Sequence, residues 1–116
     1  IMPLLVESLK QTDVVLLLTC LNTLDGLLAE RHQILEEYIN TFLPKFLLLS
    51  RFKDSMVVRI KALNCLTQLC SYPTHVLLPF KQQAIRELEM CLDDPKRLVR
   101  QQAVISRTKW FLIGAH

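Results

Sequence analysis

The chain repeats itself with a period of about 40 residues, and this feature constrains the fold more than any other. Residues 20–24 (CLNTL) resemble residues 62–66 (ALNCL), which lie 42 positions later. Val58 and Arg59 recur as Val99 and Arg100, 41 positions later. In a leucine-rich chain, such a period is typical of stacked helical hairpins, because one hairpin cannot bury its apolar face alone.

The composition supports one compact helical domain. Of 116 residues, 51% are hydrophobic and 22% charged, and only two are glycine. These values exclude a disordered tail, a collagen-like repeat and a loop-rich disulfide scaffold. No apolar run approaches the roughly 20 residues that a membrane-spanning helix needs. No signal peptide is visible and the chain starts at Ile1, so we expect a fragment of a longer protein.

The positions of prolines and of helix-capping residues predict six helices. The predicted fold is all-α, an α-solenoid of about three antiparallel helical hairpins. The helices are expected at about residues 3–10, 13–30, 33–50, 55–72, 78–92 and 95–113. Pro44 lies inside the third and predicts a kink there. The predicted N-caps are Thr12 or Asp13, Asp54 or Ser55, and Asp94 with Pro95 at the first helical position. A single domain then spans 1–116, with repeats at approximately 1–30, 31–72 and 73–116.

Two of these units resemble HEAT repeats, which place an acid in the turn between their helices and a Val-Arg pair early in the second helix. The matching residues are Asp54 with Val58 and Arg59, and Asp94 with Val99 and Arg100. The resemblance implies that acids and arginines pair between neighbouring repeats as a ladder. The first unit has Asp13 but carries Leu17 and Leu18 where the Val-Arg pair would fall, which predicts a cap or a break in the ladder.

The last third of the chain carries a closer resemblance. It contains PTHVLLPFK at residues 73–81, LDD at 92–94, KRLVR at 96–100, then Ala103, Val104 and Arg107, and WFL at 110–112 before Gly114. This arrangement is similar to the extreme C-terminus of the MMS nineteen family, the HEAT-repeat scaffold of the cytosolic iron–sulfur assembly targeting complex. The similarity is dense over about residues 72–114 and rests on the repeat pattern elsewhere.

The resemblance implies a non-catalytic adaptor. Its family binds other protein subunits of the targeting complex through this C-terminal domain. It thereby helps to deliver clusters to apo iron–sulfur proteins, including enzymes of DNA replication and repair. The implied location is the cytoplasm and nucleus. We expect no cofactor, no membrane association and no direct contact with nucleic acid.

Charge is distributed unevenly along the chain. Residues 1–94 carry nine Lys or Arg against eleven Asp or Glu, whereas residues 95–116 carry five Lys or Arg and no acid. A basic surface of this kind favours an acidic partner. The candidate partner-binding residues are Lys81, Lys96, Arg97, Arg100, Arg107, Lys109 and Trp110.

The same residues have plainer interpretations. Arg59 and Arg100 can serve as ladder residues, and the other cations can be a solvated helix face. Trp110 and Phe111 either cover the open apolar end of the array or anchor an interface, and one can pack inward while the other faces out.

No residue pattern predicts an enzyme or a metal site. The four cysteines, Cys20, Cys65, Cys70 and Cys91, lie in apolar helical stretches and are expected to be reduced core thiols, which indicates the cytosol or nucleus. Cys65 and Cys70 lie more than one helical turn apart without a third ligand nearby. His32, His75 and His116 have no catalytic companions in the sequence. Two rival classes stay open, a basic helical-repeat module that binds nucleic acid and a nuclear-transport-like receptor.

Overall fold

The computed structural model describes residues 2–9, 13–30 and 33–115, and within these residues the chain forms helices and no β-strand. The all-α prediction is confirmed. The α-helices are α1 (Met2–Ser8), α2 (Val14–Ala29), α3 (Ile39–Leu49), α4 (Met56–Leu69), α5 (Thr74–Leu77), α6 (Lys81–Cys91) and α7 (Arg97–Leu112). Two 3₁₀-helices, Gln33–Tyr38 and Leu78–Phe80, precede α3 and α6.

The helices contact one another in consecutive pairs, and the pairs contact one another in series. The pairs are α1 with α2, α3 with α4, and α6 with α7. Helix α4 lies between α2 and α7 and contacts both, while α3 also contacts α6. Stacked hairpins predict this order of contacts. The HEAT-type solenoid class and the repeat bounds 1–30, 31–72 and 73–116 stay predictions.

The core is continuous across the helix pairs. Leu21, Leu63 and Trp110, on α2, α4 and α7, are all fully buried. The Cys65 thiol of α4 lies 3.7 Å from the carbonyl oxygen of Leu21. The Trp110 Nε1–H donates to the carbonyl oxygen of Leu66 over 3.0 Å, which satisfies a buried donor at the boundary between α4 and α7.

Two of the predicted N-caps are confirmed. The Asp13 carboxylate accepts hydrogen bonds from the backbone N–H groups of Val15 and Leu16, at 2.9 and 3.2 Å. Thr12, the alternative cap, lies outside the described residues. The Ser55 hydroxyl accepts from the N–H of Val58 at 3.2 Å and begins α4. Each cap satisfies donors that a helix start leaves without an intrahelical partner.

Asp94 is not the N-cap of the last helix, and this prediction is wrong. Helix α7 begins at Arg97, after Pro95, and its N-cap position is Lys96, whose side chain makes no capping bond. The Asp94 carboxylate accepts instead from the N–H of Lys96 at 2.8 Å and forms an ion pair with Arg59. The ion pair holds the carboxylate toward the preceding hairpin, so the helix starts two residues later than the prediction.

Other element boundaries also differ from the predictions. The segment predicted as the start of the third helix is 3₁₀-helical over Gln33–Tyr38. The short α5 was not predicted; Pro73 precedes it, and its carbonyl accepts from the N–H of Val76 at 3.0 Å. Helix α6 starts at Lys81 because Leu78–Phe80 forms a 3₁₀ turn. Pro44 lies within α3, and the kink there stays a prediction.

Candidate functional site

One side of α7 belongs to the core and fixes which residues face outward. Val99, Ala103, Ser106 and Trp110 are fully buried and recur at intervals of four, three and four residues. This spacing forms a single stripe along a helix. The remaining residues of α7, including all of its cations, lie off that stripe.

The ladder pair that the resemblance to HEAT repeats implies is present between the second and third helix pairs. Arg59 Nε lies 2.8 Å from Asp94 Oδ2, and Arg59 Nη2 donates to Asp94 Oδ1 over 3.3 Å. Both side chains are 9% exposed. Arg59 Nη1 also donates to the carbonyl oxygens of Phe52 and Lys53, at 2.9 and 3.3 Å. Arg59 is therefore a structural residue that joins two hairpins.

No ion pair of this kind joins the second helix pair to residues 2–9 and 13–30, the part of the first unit that the structure describes. Leu17, which the 42-residue shift between the first two units aligns with Arg59, is fully buried. Asp54, in the turn of the next hairpin, is exposed, and no ion pair involves it among the residues described here. The buried Leu17 and the exposed Asp54 are consistent with the predicted break in the ladder between the first two units.

Three of the predicted partner-binding cations are half-buried and bound to backbone carbonyls. Arg100 Nη1 donates to the carbonyl oxygen of Asp94 over 2.7 Å. Arg107 Nε donates to the carbonyl oxygen of Ile85 over 3.3 Å and so ties α7 to α6. Lys81 Nζ donates to the carbonyl oxygen of Ile113, just beyond α7. These three side chains fasten the last helix pair and present only part of their surface to solvent.

Lys81 has a second neighbour at the same end of α7. Its ammonium lies 5.9 Å from the centre of the Phe111 ring, within range of a cation–π contact. Phe111 itself is 58% exposed, so this lysine covers only one side of it.

The other three predicted cations, Lys96, Arg97 and Lys109, are exposed. Lys96 precedes α7, Arg97 begins it and Lys109 lies in its last turn. The structure therefore does not place all six predicted cations in one solvated patch. It separates them into three exposed side chains and three that are anchored to the backbone.

Trp110 requires a correction as a partner-binding residue. It is fully buried, and its indole N–H is bonded to Leu66, so it cannot meet a partner at the surface. Phe111, its neighbour, faces out. Adjacent residues lie about 100° apart around a helix, which is why one of the two packs inward and the other does not.

Sequence reasoning missed the exposed apolar side chains of α7. Five large ones are 48–62% exposed: Leu98, Val104, Ile105, Phe111 and Leu112. Two series at intervals of seven residues, 98–105–112 and 104–111, were visible in the sequence, and they lie off the buried stripe. Clustered exposed apolar groups often mark an interaction surface.

Burial suppresses the chemistry of the four thiols. All four cysteines are free; Cys20, Cys65 and Cys91 are buried and Cys70 is half-buried. Desolvation raises the pKa of Cys20 to about 11 and that of Cys70 to about 12, and it raises the pKa of Cys65 and Cys91 as well. The thiolate is the reactive and metal-binding form, so these cysteines are weak nucleophiles and weak ligands at neutral pH.

No group of three or more His, Cys, Asp and Glu within the described ranges is placed to hold a metal ion. His75 is exposed, and His32 and His116 lie outside these ranges. None of the described helices has both the length and the apolar character that crossing a membrane requires.

Comparison with known proteins identifies the chain's relatives. Residues 1–70 match the family MMS19_C, described as RNAPII transcription regulator C-terminal. The chain is 47% identical over 115 residues to the MMS19 nucleotide excision repair protein homolog of Homo sapiens. It is 39% identical over 114 residues to the DNA repair/transcription protein mms19 of Schizosaccharomyces pombe.

These alignments cover 99% and 97% of the chain but only 11% of each relative's length. The similarity therefore extends well beyond the segment around residues 72–114, on which the sequence resemblance was densest. The relatives' names describe proteins of DNA repair and transcription. The chain belongs to the MMS19 family and corresponds to its C-terminal region.

Proposed function

We propose that this chain is a non-catalytic docking module of an adaptor protein. The adaptor binds other protein subunits of the cytosolic iron–sulfur assembly targeting complex. Through them it helps to deliver clusters to apo-proteins, including enzymes of DNA replication and repair. Membership of the MMS19 family supports the connection with DNA repair, and the resemblance of the last third of the chain motivates the finer role. The proposed locations are the cytoplasm and the nucleus.

The observation that carries the proposal is the outward side of α7. It combines five exposed large apolar side chains with the exposed cations Arg97 and Lys109, while residues 95–116 contain no acid. Apolar groups of this size supply affinity when a partner covers them. Unopposed cations orient and accelerate the approach of an acidic partner. We call these five apolar residues together with Arg97 and Lys109 the docking side of α7.

A docking role accounts for the described side chains better than catalysis does. The thiols are protonated at neutral pH. Two of the described carboxylates, those of Glu87 and Asp94, are engaged in ion pairs with arginines. Enzymatic acid–base or nucleophilic chemistry needs a reactive group with a free, positioned companion. The proposal therefore includes the absence of catalytic activity.

Nucleic-acid binding is the less favoured alternative. Such binding gains affinity with the number of phosphates that cations neutralise. Lys96, Arg97 and Lys109 are the three exposed cations of this region, whereas Arg100, Arg107 and Lys81 are half-buried and each donates to a backbone carbonyl. Retention of DNA or RNA by the purified protein at physiological salt would favour this alternative over the docking proposal.

The experiment is quantitative recovery of the assembly-complex subunits from cells by the tagged natural protein that carries this chain. A docking-side variant replaces all five exposed apolar residues of α7 with glutamine: L98Q, V104Q, I105Q, F111Q and L112Q. A control replaces four exposed apolar residues elsewhere: L48Q, V57Q, L78Q and M90Q, at positions that are 46–64% exposed.

We expect the natural protein and the control to recover the subunits in similar amounts. The docking-side variant should recover at least tenfold less of them. Circular dichroism of both variants checks that the helices persist. The proposal is wrong if the natural protein recovers none of the subunits, or if the docking-side variant recovers as much as the control.

A further inference from the structure

The repeat period places four residues of each second helix in equivalent positions. We call this set the forward seam; its members lie at intervals of four, three and four residues and so form one stripe along the helix. The forward seam is Leu17, Leu21, Leu24 and Leu28 in α2, Arg59, Leu63 and Leu66 in α4 with Cys70 directly after it, and Arg100, Val104, Arg107 and Phe111 in α7.

In the first two hairpins the next hairpin covers the forward seam. All four leucines of the α2 seam are at most 2% exposed, and α2 contacts α4. In α4, Leu66 accepts the hydrogen bond from Trp110, and Arg59 pairs with Asp94. In α7 the corresponding apolar residues are open to solvent, since Val104 is 54% and Phe111 58% exposed.

Arg100 is held in the same way as Arg59 but lacks its carboxylate. Arg59 Nη1 donates to the carbonyl oxygen of Lys53, and Arg100 Nη1 donates to the carbonyl oxygen of Asp94; each acceptor lies six residues before its arginine. Arg59 directs Nε and Nη2 to an acid of the next hairpin. Among the described residues, no carboxylate pairs with Arg100. The bond from Nη1 therefore orients the Arg100 guanidinium, and its other N–H groups can donate to a carboxylate of a partner.

The side chains of the forward seam of α7 indicate which kind of partner surface can bind there. It offers two half-buried arginines that alternate with Val104 and Phe111 at helical spacing, and an open pocket of about 270 Å³ is lined by Arg107, Thr108, Phe111 and Leu112. A matching surface carries carboxylates beside apolar side chains. An amphipathic acidic helix provides both at the same intervals, whereas nucleic-acid phosphates would pair with the arginines and leave the two apolar residues in water.

We propose that the forward seam of α7 binds an amphipathic helix of a partner protein in the place that a following hairpin would take, with an Asp or Glu of that helix paired to Arg100. This inference rests on the proposed docking function and specifies where on α7 the partner binds and what chemistry it presents. The partner's carboxylate takes the role that Asp94 has for Arg59. Its apolar residues cover Val104 and Phe111.

The first test measures recovery of the assembly-complex subunits by the natural protein with single substitutions. Val104→Glu places an acid on the seam at an exposed position, where folding is little affected. Val57→Glu is the matched control, because Val57 is a similarly exposed valine of α4 (46% against 54%). Arg100→Glu has Lys53→Glu as its control, an equal change of charge at an exposed turn of the preceding hairpin.

We expect Val104→Glu and Arg100→Glu to lower recovery at least tenfold and the two controls to stay within twofold of the natural protein. Equal losses of recovery for Lys53→Glu and Arg100→Glu would show that only net charge matters. That result would overturn the proposal that the partner binds the forward seam of α7. Unchanged recovery by Val104→Glu would also overturn it and leave the docking function standing. If the unsubstituted protein recovers no subunit, both proposals fail.

The second test identifies the occupant with a photo-crosslinking amino acid placed at position 104. The expected crosslink is to a helical segment of a partner subunit that contains Asp or Glu, and changing that acid to Arg restores binding to the Arg100→Glu variant. Crosslinks to a second copy of this protein, or to another part of the same chain, would overturn the proposal. So would a failure of every charge exchange to restore binding.

Discussion

Removing one partner of the ion pair between Arg59 and Asp94 should cost considerable stability, because both side chains are 9% exposed and the remaining charge would be buried without its partner. Asp94→Asn removes the charge while its amide oxygen can still accept the N–H of Lys96, a bond now 2.8 Å long. Breaking a buried pair from one side costs about 3–5 kcal/mol. Arg59 keeps its bonds to the carbonyls of Phe52 and Lys53, so we expect a loss of about 3 kcal/mol.

The first hairpin suggests the compensating substitution. Leu17 occupies the position equivalent to Arg59 and is fully buried, so leucine fits this place in the fold. Replacing a buried ion pair with well-packed apolar residues is often nearly neutral. The double variant Arg59→Leu with Asp94→Asn should therefore be more stable than Asp94→Asn alone, by about 1–2 kcal/mol.

The assay is urea unfolding of this chain, followed by circular dichroism at 222 nm, for the natural sequence, the two single variants and the double variant. The half-exposed pair of Arg51 and Glu87, with nitrogen and oxygen 3.3 Å apart, provides the control. Glu87→Gln should cost less than about 1 kcal/mol. Additive effects of Arg59→Leu and Asp94→Asn, within about 0.5 kcal/mol, would refute the coupling that the buried ladder pair implies.

Three further predictions concern single residues. Trp110→Phe loses the bond to Leu66 and leaves a small cavity, so urea unfolding should show a loss of about 1–3 kcal/mol; a loss below about 0.5 kcal/mol would contradict the burial of the indole. The raised pKa values of Cys20 and Cys70, about 11 and 12 against a usual 9.0, stabilise the protonated folded state below pH 9, and this contribution is lost as pH rises toward those values. The urea midpoint should therefore fall between pH 8 and pH 10.5 and fall less in Cys20→Ala, whereas an identical fall in both proteins would exclude the thiol of Cys20 as a cause. Gly114 has φ of +71°, and an added Cβ would lie 3.2 Å from Leu78 Cδ2, so Gly114→Ala should lower the free energy of unfolding by about 1 kcal/mol; a stability equal to that of the natural chain would contradict this.

The helical class and the ladder pair could be predicted from the sequence because both depend on the repeat. A period of about 40 residues in a leucine-rich chain leaves few arrangements that bury every apolar face. The resemblance to HEAT repeats implied that arginines pair with acids of neighbouring units, and Arg59 and Asp94 do meet. Local capping by Asp13 and Ser55 was also predictable, since these side chains reach only nearby backbone groups.

The role of Asp94 could not be predicted, because it depends on a competition between local and distant partners. Its carboxylate could cap a helix or meet an arginine 35 positions earlier, and only the packing of the hairpins decides between them. Trp110 and Phe111 pose a similar problem. Either could face the core, and the choice follows from the phase of α7, which Val99 and Ala103 set by packing inward.

The candidate surface was predicted from charge, and charge alone gave an incomplete description. Arg100, Arg107 and Lys81 reach backbone carbonyls that a sequence pattern cannot locate, so their anchored state was not foreseen. The exposed Val104 occupies the position equivalent to the buried Leu21 and Leu63. From the sequence alone it is predicted to be a core residue, because the sequence does not show which helices lie against α7.

Hydrogen–deuterium exchange of the natural protein, free and bound to the assembly-complex subunits, tests the docking role of α7 most directly. The amides of Arg97–Leu112 should exchange more slowly in the complex, because a bound partner suppresses the openings that exchange requires. Those of α2 should keep the same rates. Unchanged exchange throughout α7, with protection confined to other helices, would contradict the account.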